Sequence, residues 1–268
     1  MKPIMISNPQ SSAPLGTLLL CVSLLGCSTS QEAAQVSLPV VVSSASIAPM
    51  TTDLGYTVTI TNARVAIEDL LFTVEGEEQQ ESAIGQLWNW LVPEAHAHPG
   101  HQAGGVVTGE LLGEFVIDWM SDGPLGTANL LSGSYQAINF SFRTATEGQL
   151  EPSDPLIGHT VHVQGVAVKS DEGGDETIPF DMLLYIEPET LMLGGIYQHE
   201  VTATTQATLS LEFLTIDPYE GDSVFDGIDF ASIARNEQGH VVIAPGMAEH
   251  NIARRTFQIH DHYRITVQ

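Results

Sequence analysis

Cysteine is nearly missing from this chain. Cys21 and Cys27 are the only two in 268 residues. Both fall in the N-terminal stretch, so the chain beyond residue 27 has neither a disulfide nor a thiolate metal ligand to draw on, and its stability must come from an ordinary core. Basic residues are scarce as well, with 8 Lys+Arg against 33 Asp+Glu and a formal net charge of −25. Such a surface repels nucleic acid and anionic lipid headgroups and attracts cations. No basic and aromatic residues interleave as a nucleic-acid platform requires, so no nucleic-acid partner is expected. Catalytic signatures are lacking too. There is no nucleophile elbow, no phosphate-cradling Gly-rich loop, no HExxH and no cysteine nucleophile, and we read the chain as a non-enzyme.

The N-terminus reads as a targeting segment rather than part of the fold. Lys2 precedes an apolar stretch, Leu15 to Leu25, too short for a permanent membrane helix. It runs into Leu24-Leu25-Gly26-Cys27, the pattern of a lipoprotein processing site in which the Cys27 thiol is acylated. The competing reading is an ordinary secretory signal cleaved near Ser28 or Ser30. Residues 1–27 are then the signal peptide, 28–35 a Ser/Thr/Gln/Ala-rich tether and 36–268 the folded domain, one large β unit or two packed subdomains. Ser28 after the cysteine favours the outer membrane, with the protein facing the periplasm.

Short strands dominate the pattern. Val36–Val42 reads as a strand, with Pro39 at an edge or strand start. Tyr56, Val58 and Ile60 alternate with threonines, and the pattern continues through Val74 with a phase slip near Glu68-Asp69, a bulge or a turn. Ser82 caps a short helix carrying Ile84, Leu87, Trp88 and Leu91 on one face, ended by Pro93. Further strands are expected over 110–119, 133–142, 160–168, 178–186, 196–213 and 256–267, with a Gly/Asp-rich turn at 169–176 and a helical turn at 230–234. The expected class is all-β, an antiparallel β-sandwich with one short helix and a His-rich loop.

That loop is the main chemical signal. In Glu94-Ala95-His96-Ala97-His98-Pro99-Gly100-His101, three of the ten histidines fall within six residues. In extended chain His96 and His98 point the same way, and a turn at Pro99-Gly100 can fold His101 back toward them. Three imidazoles at about 2.0–2.1 Å suit zinc, and copper(II) or nickel(II) accept the same ligands. A solvated loop with adventitious affinity is the competing reading. His260 and His262 are expected side by side on the polar face of the last strand, as completing ligands or as a solvated face. Asp118 is a further candidate, as a ligand or as a partner to a histidine N–H. Asp217, Glu220, Asp222, Asp226 and Asp229 crowd one loop without EF-hand spacing and read as solvated rather than as a calcium site. His159 and His162 read as packing or surface residues.

The run from Tyr56 to Phe72, then a helix, then Ala95-His96-Ala97-His98-Pro99-Gly100-His101 with Gly104-Gly105 and Gly109-Glu110-Leu111, resembles a group of poorly characterised bacterial secreted lipoproteins. The resemblance implies an extracytoplasmic location and a connection to metals, and no catalytic assignment. The expected function is a lipid-anchored envelope protein that captures or buffers zinc or copper, or delivers it to a metal transporter. The alternative is a non-catalytic envelope β-sandwich that binds a carbohydrate or a protein partner, favoured if Trp90 or Trp119 is exposed. A metal-dependent hydrolase is a third option.

Overall fold

The computed structural model describes residues 33–74, 105–171 and 174–268. Residues 33–268 form one compact unit. The described strands are β1 (Gln35–Ser43), β2 (Met50–Thr51), β3 (Tyr56–Val74), β4 (Val106–Asp118), β5 (Gly123–Leu131), β6 (Gly133–Phe142), β7 (Val161–Asp171), β8 (Gly174–Leu184), β9 (Leu191–Val201), β10 (Leu209–Phe213), β11 (Val241–Ile243) and β12 (Tyr263–Val267). The described α-helix, α1, spans Ala248–Thr256.

The 19-residue β3 organises the sheet. Its second half pairs with β4 on one edge and β6 on the other. Its first half pairs with β7. The hydrogen-bonded path β3-β4-β5-β1-β10-β12-β9-β6 therefore returns to β3 and closes a ring of strands, while β7, β8 and β11 extend from β3 as an arm. The phase slip expected at Glu68-Asp69 is a bulge. The register shifts between Glu68 and Leu70. Asp69 takes φ 52°, and its carboxylate accepts the Gly113 N–H at 2.8 Å.

Two expectations need correction. The sheet is mixed, not purely antiparallel, since β1–β10, β11–β8 and β12–β9 are parallel pairs. Each joins strands far apart in sequence, which gives the chain room for the crossover a parallel pair requires. The expected strand over 256–267 exists only from Tyr263. Its first part is the end of α1 and a 3₁₀ turn at His260–His262. The helix expected over 82–91 lies outside the described residues.

One hydrophobic cluster runs through ring and arm. Along β3, Tyr56, Val58 and Ile60 are buried and Thr57, Thr59 and Thr61 are exposed, the alternation of a strand with one face in the core. In the arm, Phe225 and Phe230 pack on Phe180, with ring centroids 5.5 and 5.0 Å away. In the ring, Phe140, Phe142, Phe213 and Tyr263 pack together. A smaller cluster on the opposite face seats Leu156 and Ala145 against Ala66, so the 143–160 segment covers that side of β3.

Candidate functional site

Cys27, His96, His98 and His101 lie outside the described residues. The chain on either side of 75–104 is well defined. Val74, the last residue of β3, pairs with Val106, the first of β4. A Cβ at Gly105 would collide with the Val74 carbonyl oxygen, so the close approach there requires glycine. Residues 75–104 therefore leave and re-enter the ring at adjacent strand ends, on one rim. Gly105 lies four positions beyond His101, at most about 14 Å of chain.

Asp118 ends β4, at the opposite end from that rim. Its carboxylate accepts the Met120 N–H at 2.9 Å and the Ser121 hydroxyl at 3.1 Å, which turns the chain toward β5. Trp119 is buried and stacks on Phe213 at 5.7 Å. His260 and His262 do not share a solvated strand face. They sit in the 3₁₀ turn before β12, and His262 is buried. Its Nδ1 is 2.8 Å from the Leu214 carbonyl oxygen, which can only accept, so Nδ1 carries the proton. Burial holds the His262 pKa below the ordinary histidine value. His260 keeps its Nδ1 3.1 Å from the Asp261 carboxylate. The 3₁₀ turn replaces the expected alternation, so that Ile259 is exposed while Asp261, His262 and Tyr263 are buried in succession.

The most developed polar assembly was not expected. Arg64 on β3 lies directly across from His162 on β7. Its guanidinium forks onto Asp154, donating at 2.6 and 2.9 Å. Asn62 Nδ2 and Arg64 Nη2 each lie 3.1 Å from His162 Nδ1. Both are donors, so Nδ1 accepts and the proton sits on Nε2, which faces Asp181 Oδ1 at 3.0 Å. Gln164 donates to the other Asp181 oxygen at 3.1 Å. The His162 hydrogen bond lowers the Asp181 pKa, and the Arg64 hydrogen bonds lower that of Asp154. With both ring nitrogens committed, His162 has no lone pair for a metal and no open position as a general base. It is a cross-strand clasp over β3, β7 and β8. The sequence signal for it is an arginine in mid-strand in a chain with so few cations, since a half-buried arginine needs a carboxylate partner.

Two carboxylates of the acidic loop, Asp217 and Asp226, are committed to backbone. Asp217 accepts the Tyr219 and Glu220 N–H groups, Asp226 those of Asp53 and Ser223, and Asp53 that of Gly227. Asp229 accepts the Tyr56 hydroxyl. Among the described residues, no three His, Cys, Asp or Glu side chains are grouped to hold a metal ion. Comparison of the chain with protein-family models, with curated proteins and with solved structures finds no match in any of the three.

Proposed function

We propose that the protein is a lipid-anchored envelope protein that binds a transition-metal ion, zinc or copper, as cargo through His96, His98 and His101. It would capture or buffer the ion, or hand it to a transporter. The observation that carries this reading is the spacing of three imidazoles within six residues of a Pro-Gly turn. The histidines belong to a long excursion between strand ends that are firmly paired, the usual way a rigid scaffold carries a functional loop.

The ligand set is the loop's own. From Val106 to Asp118, β4 runs about 40 Å, far beyond the chain length available to His101. Asp118 caps a turn, and His262 is buried at the same distant end. A fourth position is then left for water or for a ligand from a receiving protein. For the architecture, the closed path of strand pairs supports a barrel-like body over the expected sandwich. Trp119, one of the aromatics a carbohydrate-binding reading would use, is buried.

The test is metal content and affinity of the tag-free, chelator-washed Ser28–Gln268 fragment beside the His96/His98/His101→Ala triple variant. One metal per chain at micromolar or tighter affinity is expected, lost in the variant. Affinity should fall below about pH 6, because imidazole must be neutral to ligate. Weak binding at several sites, unchanged in the variant, would reduce the motif to a solvated loop.

A further inference from the structure

In a chain of net charge −25, a cation seldom lacks a partner. Arg64, Arg143, Arg235 and Arg264 pair with Asp154, Glu114, Glu176 and Glu212. Lys169 lies over the Tyr56 ring at 4.6 Å, and the Arg255 Nε–H donates to the Asn251 carbonyl at 3.3 Å. Arg254 in α1 is different. Among the described residues its guanidinium forms neither an ion pair nor a hydrogen bond, although its Nε is buried. A place in the last turn of α1 suits the helix dipole, which accounts for the charge but not for a buried N–H without an acceptor.

One turn earlier on the same helix face, His250 shares this feature. Side chains at i and i+4 of a helix are neighbours, with Cβ atoms about 6 Å apart. His250 is 5% exposed. Its Nε2 accepts the Tyr185 N–H at 3.0 Å, so the proton is on Nδ1. That Nδ1–H is buried and has no acceptor. The Asn251 side chain is close enough to favour the charged ring but stands outside hydrogen-bond geometry with Nδ1, and its amide nitrogen donates to the Met247 carbonyl at 3.2 Å. His159 borders the pair. It precedes Thr160, whose N–H donates to the Leu184 carbonyl and whose hydroxyl accepts the Ile186 N–H. His159 therefore lies beside the Tyr185 backbone that His250 binds. The charges that act on His250 come from Arg254 and His159, with no carboxylate among them.

We infer that Arg254 and His250, bordered by His159, form a binding site for a small oxyanion, the carboxylate or phosphate group of a small molecule. The Nε–H and one Nη–H of a guanidinium make a fork that matches two oxygens of such a group. The His250 Nδ1–H supplies a third donor, and it does so from a neutral ring, because protonating Nε2 would break the bond to Tyr185. The His159 Nδ1 faces the Ile157 carbonyl at 3.3 Å, so this ring adds a donor only in its charged form. An oxyanion gives both buried N–H groups the acceptor that the fold withholds. None of these residues belongs to the proposed metal site.

Isothermal titration calorimetry tests the site in the tag-free Ser28–Gln268 protein, which holds the whole compact unit 33–268. The probes are inorganic phosphate and, separately, acetate, at mildly alkaline pH where histidine is neutral and with ionic strength held constant by chloride. Saturable binding of one anion per chain is expected, and the tighter probe names the ligand class. Arg254→Gln should weaken it about tenfold or more, the loss of a charge-assisted hydrogen bond. Arg254→Lys keeps the charge without the fork and should recover little of that loss. Arg255→Gln removes the same charge from an exposed neighbour and should change affinity less than about twofold. Because the Arg254 guanidinium bonds to no other described residue, its variants should keep the thermal midpoint of the unaltered protein in buffer free of both probes, which separates a lost site from a lost fold. Heats that do not saturate, or equal losses in Arg254→Gln and Arg255→Gln, would overturn the site and leave the two N–H groups to buried water.

Discussion

Asp154 and Asp181 on the β3–β7–β8 face and Asp222 in the 217–229 loop are the same chemical group under opposite conditions. The first two face a guanidinium and an imidazole, and their pKa values are lowered. Asp222 is exposed among Asp53, Asp217, Glu220 and Asp226, and its pKa is raised by burial first and by those neighbours after it. With so few cations, the chain neutralises one carboxylate cluster and leaves another to solvent and backbone N–H groups. Carboxylate density alone is therefore no guide to a site. In one region it is half of a structural clasp, and in the other it is turn geometry.

The largest effect expected from breaking that contrast is at Arg64. Arg64→Met leaves Asp154 without its fork and His162 Nδ1 with Asn62 as its remaining donor, and should cost about 3 kcal/mol of stability. Arg64→Lys should recover less than half, because an ammonium cannot bridge both Asp154 oxygens and also reach His162. Denaturant midpoints at neutral pH check both. A cost below about 1 kcal/mol for Arg64→Met, the ordinary value for a surface pair, would mean the clasp is not a stability element.

Next in size is the acid response. His262 and His250 both have pKa values lowered, each mainly by burial. In His250, Nε2 accepts the Tyr185 N–H at 3.0 Å and so ties α1 to the end of β8. A lowered histidine pKa means the folded state holds its proton less readily than the unfolded chain. The stabilisation is complete above the ordinary histidine pKa, about 6.5, and is lost as pH falls from there through the folded values. Asp154 and Asp181 add a second loss, starting only below the ordinary carboxylate pKa of about 4. Stability should therefore fall in two steps on acidification. His262→Asn, which keeps a donor for the Leu214 carbonyl, should shrink the first step to the share of His250 and leave the second. A single step near pH 4 in the unaltered protein would show that the buried histidines are not coupled to folding.

These contrasts also mark what was legible in the sequence. β3 was legible because alternation survives through its bulge, and Asp69 is a residue that tolerates positive φ. β5 was not, because Gly123, Pro124 and Gly126 read as loop. Pro124 is accommodated where the β1–β5 register shifts between Val40 and Val41. α1 was missed because it buries only His250 and Ala253 and so shows no apolar stripe, although Glu249 at its start and Arg254 and Arg255 at its end match the helix dipole. The clasp was illegible because its partners are distant in sequence. Arg64 and Asp154 are 90 residues apart, and the register that sets Arg64 opposite His162 is a property of the folded sheet.

The smallest predicted effect is the most direct test of the contrast, because it depends on sign. Asp154→Asn removes a paired charge and should destabilise by about 1–2 kcal/mol, since Arg64 and Leu156 lose a charged acceptor. Asp222→Asn removes a charge from a like-charged loop. Because the folded pKa of Asp222 is raised, its ionised form costs stability as pH rises through that value, and neutralising it should stabilise the protein at pH 7. The side chain is exposed, so screening limits the gain to a few tenths of a kcal/mol, and it should shrink further in about 1 M salt. Paired urea titrations of the two variants at low and high salt give the answer. Opposite signs, with a salt-sensitive gain at Asp222, would establish that the two acidic regions differ in compensation. Destabilisation by both would mean that Asp222, like Asp217 and Asp226, is held by its loop backbone and that its neighbours' charges do not govern it.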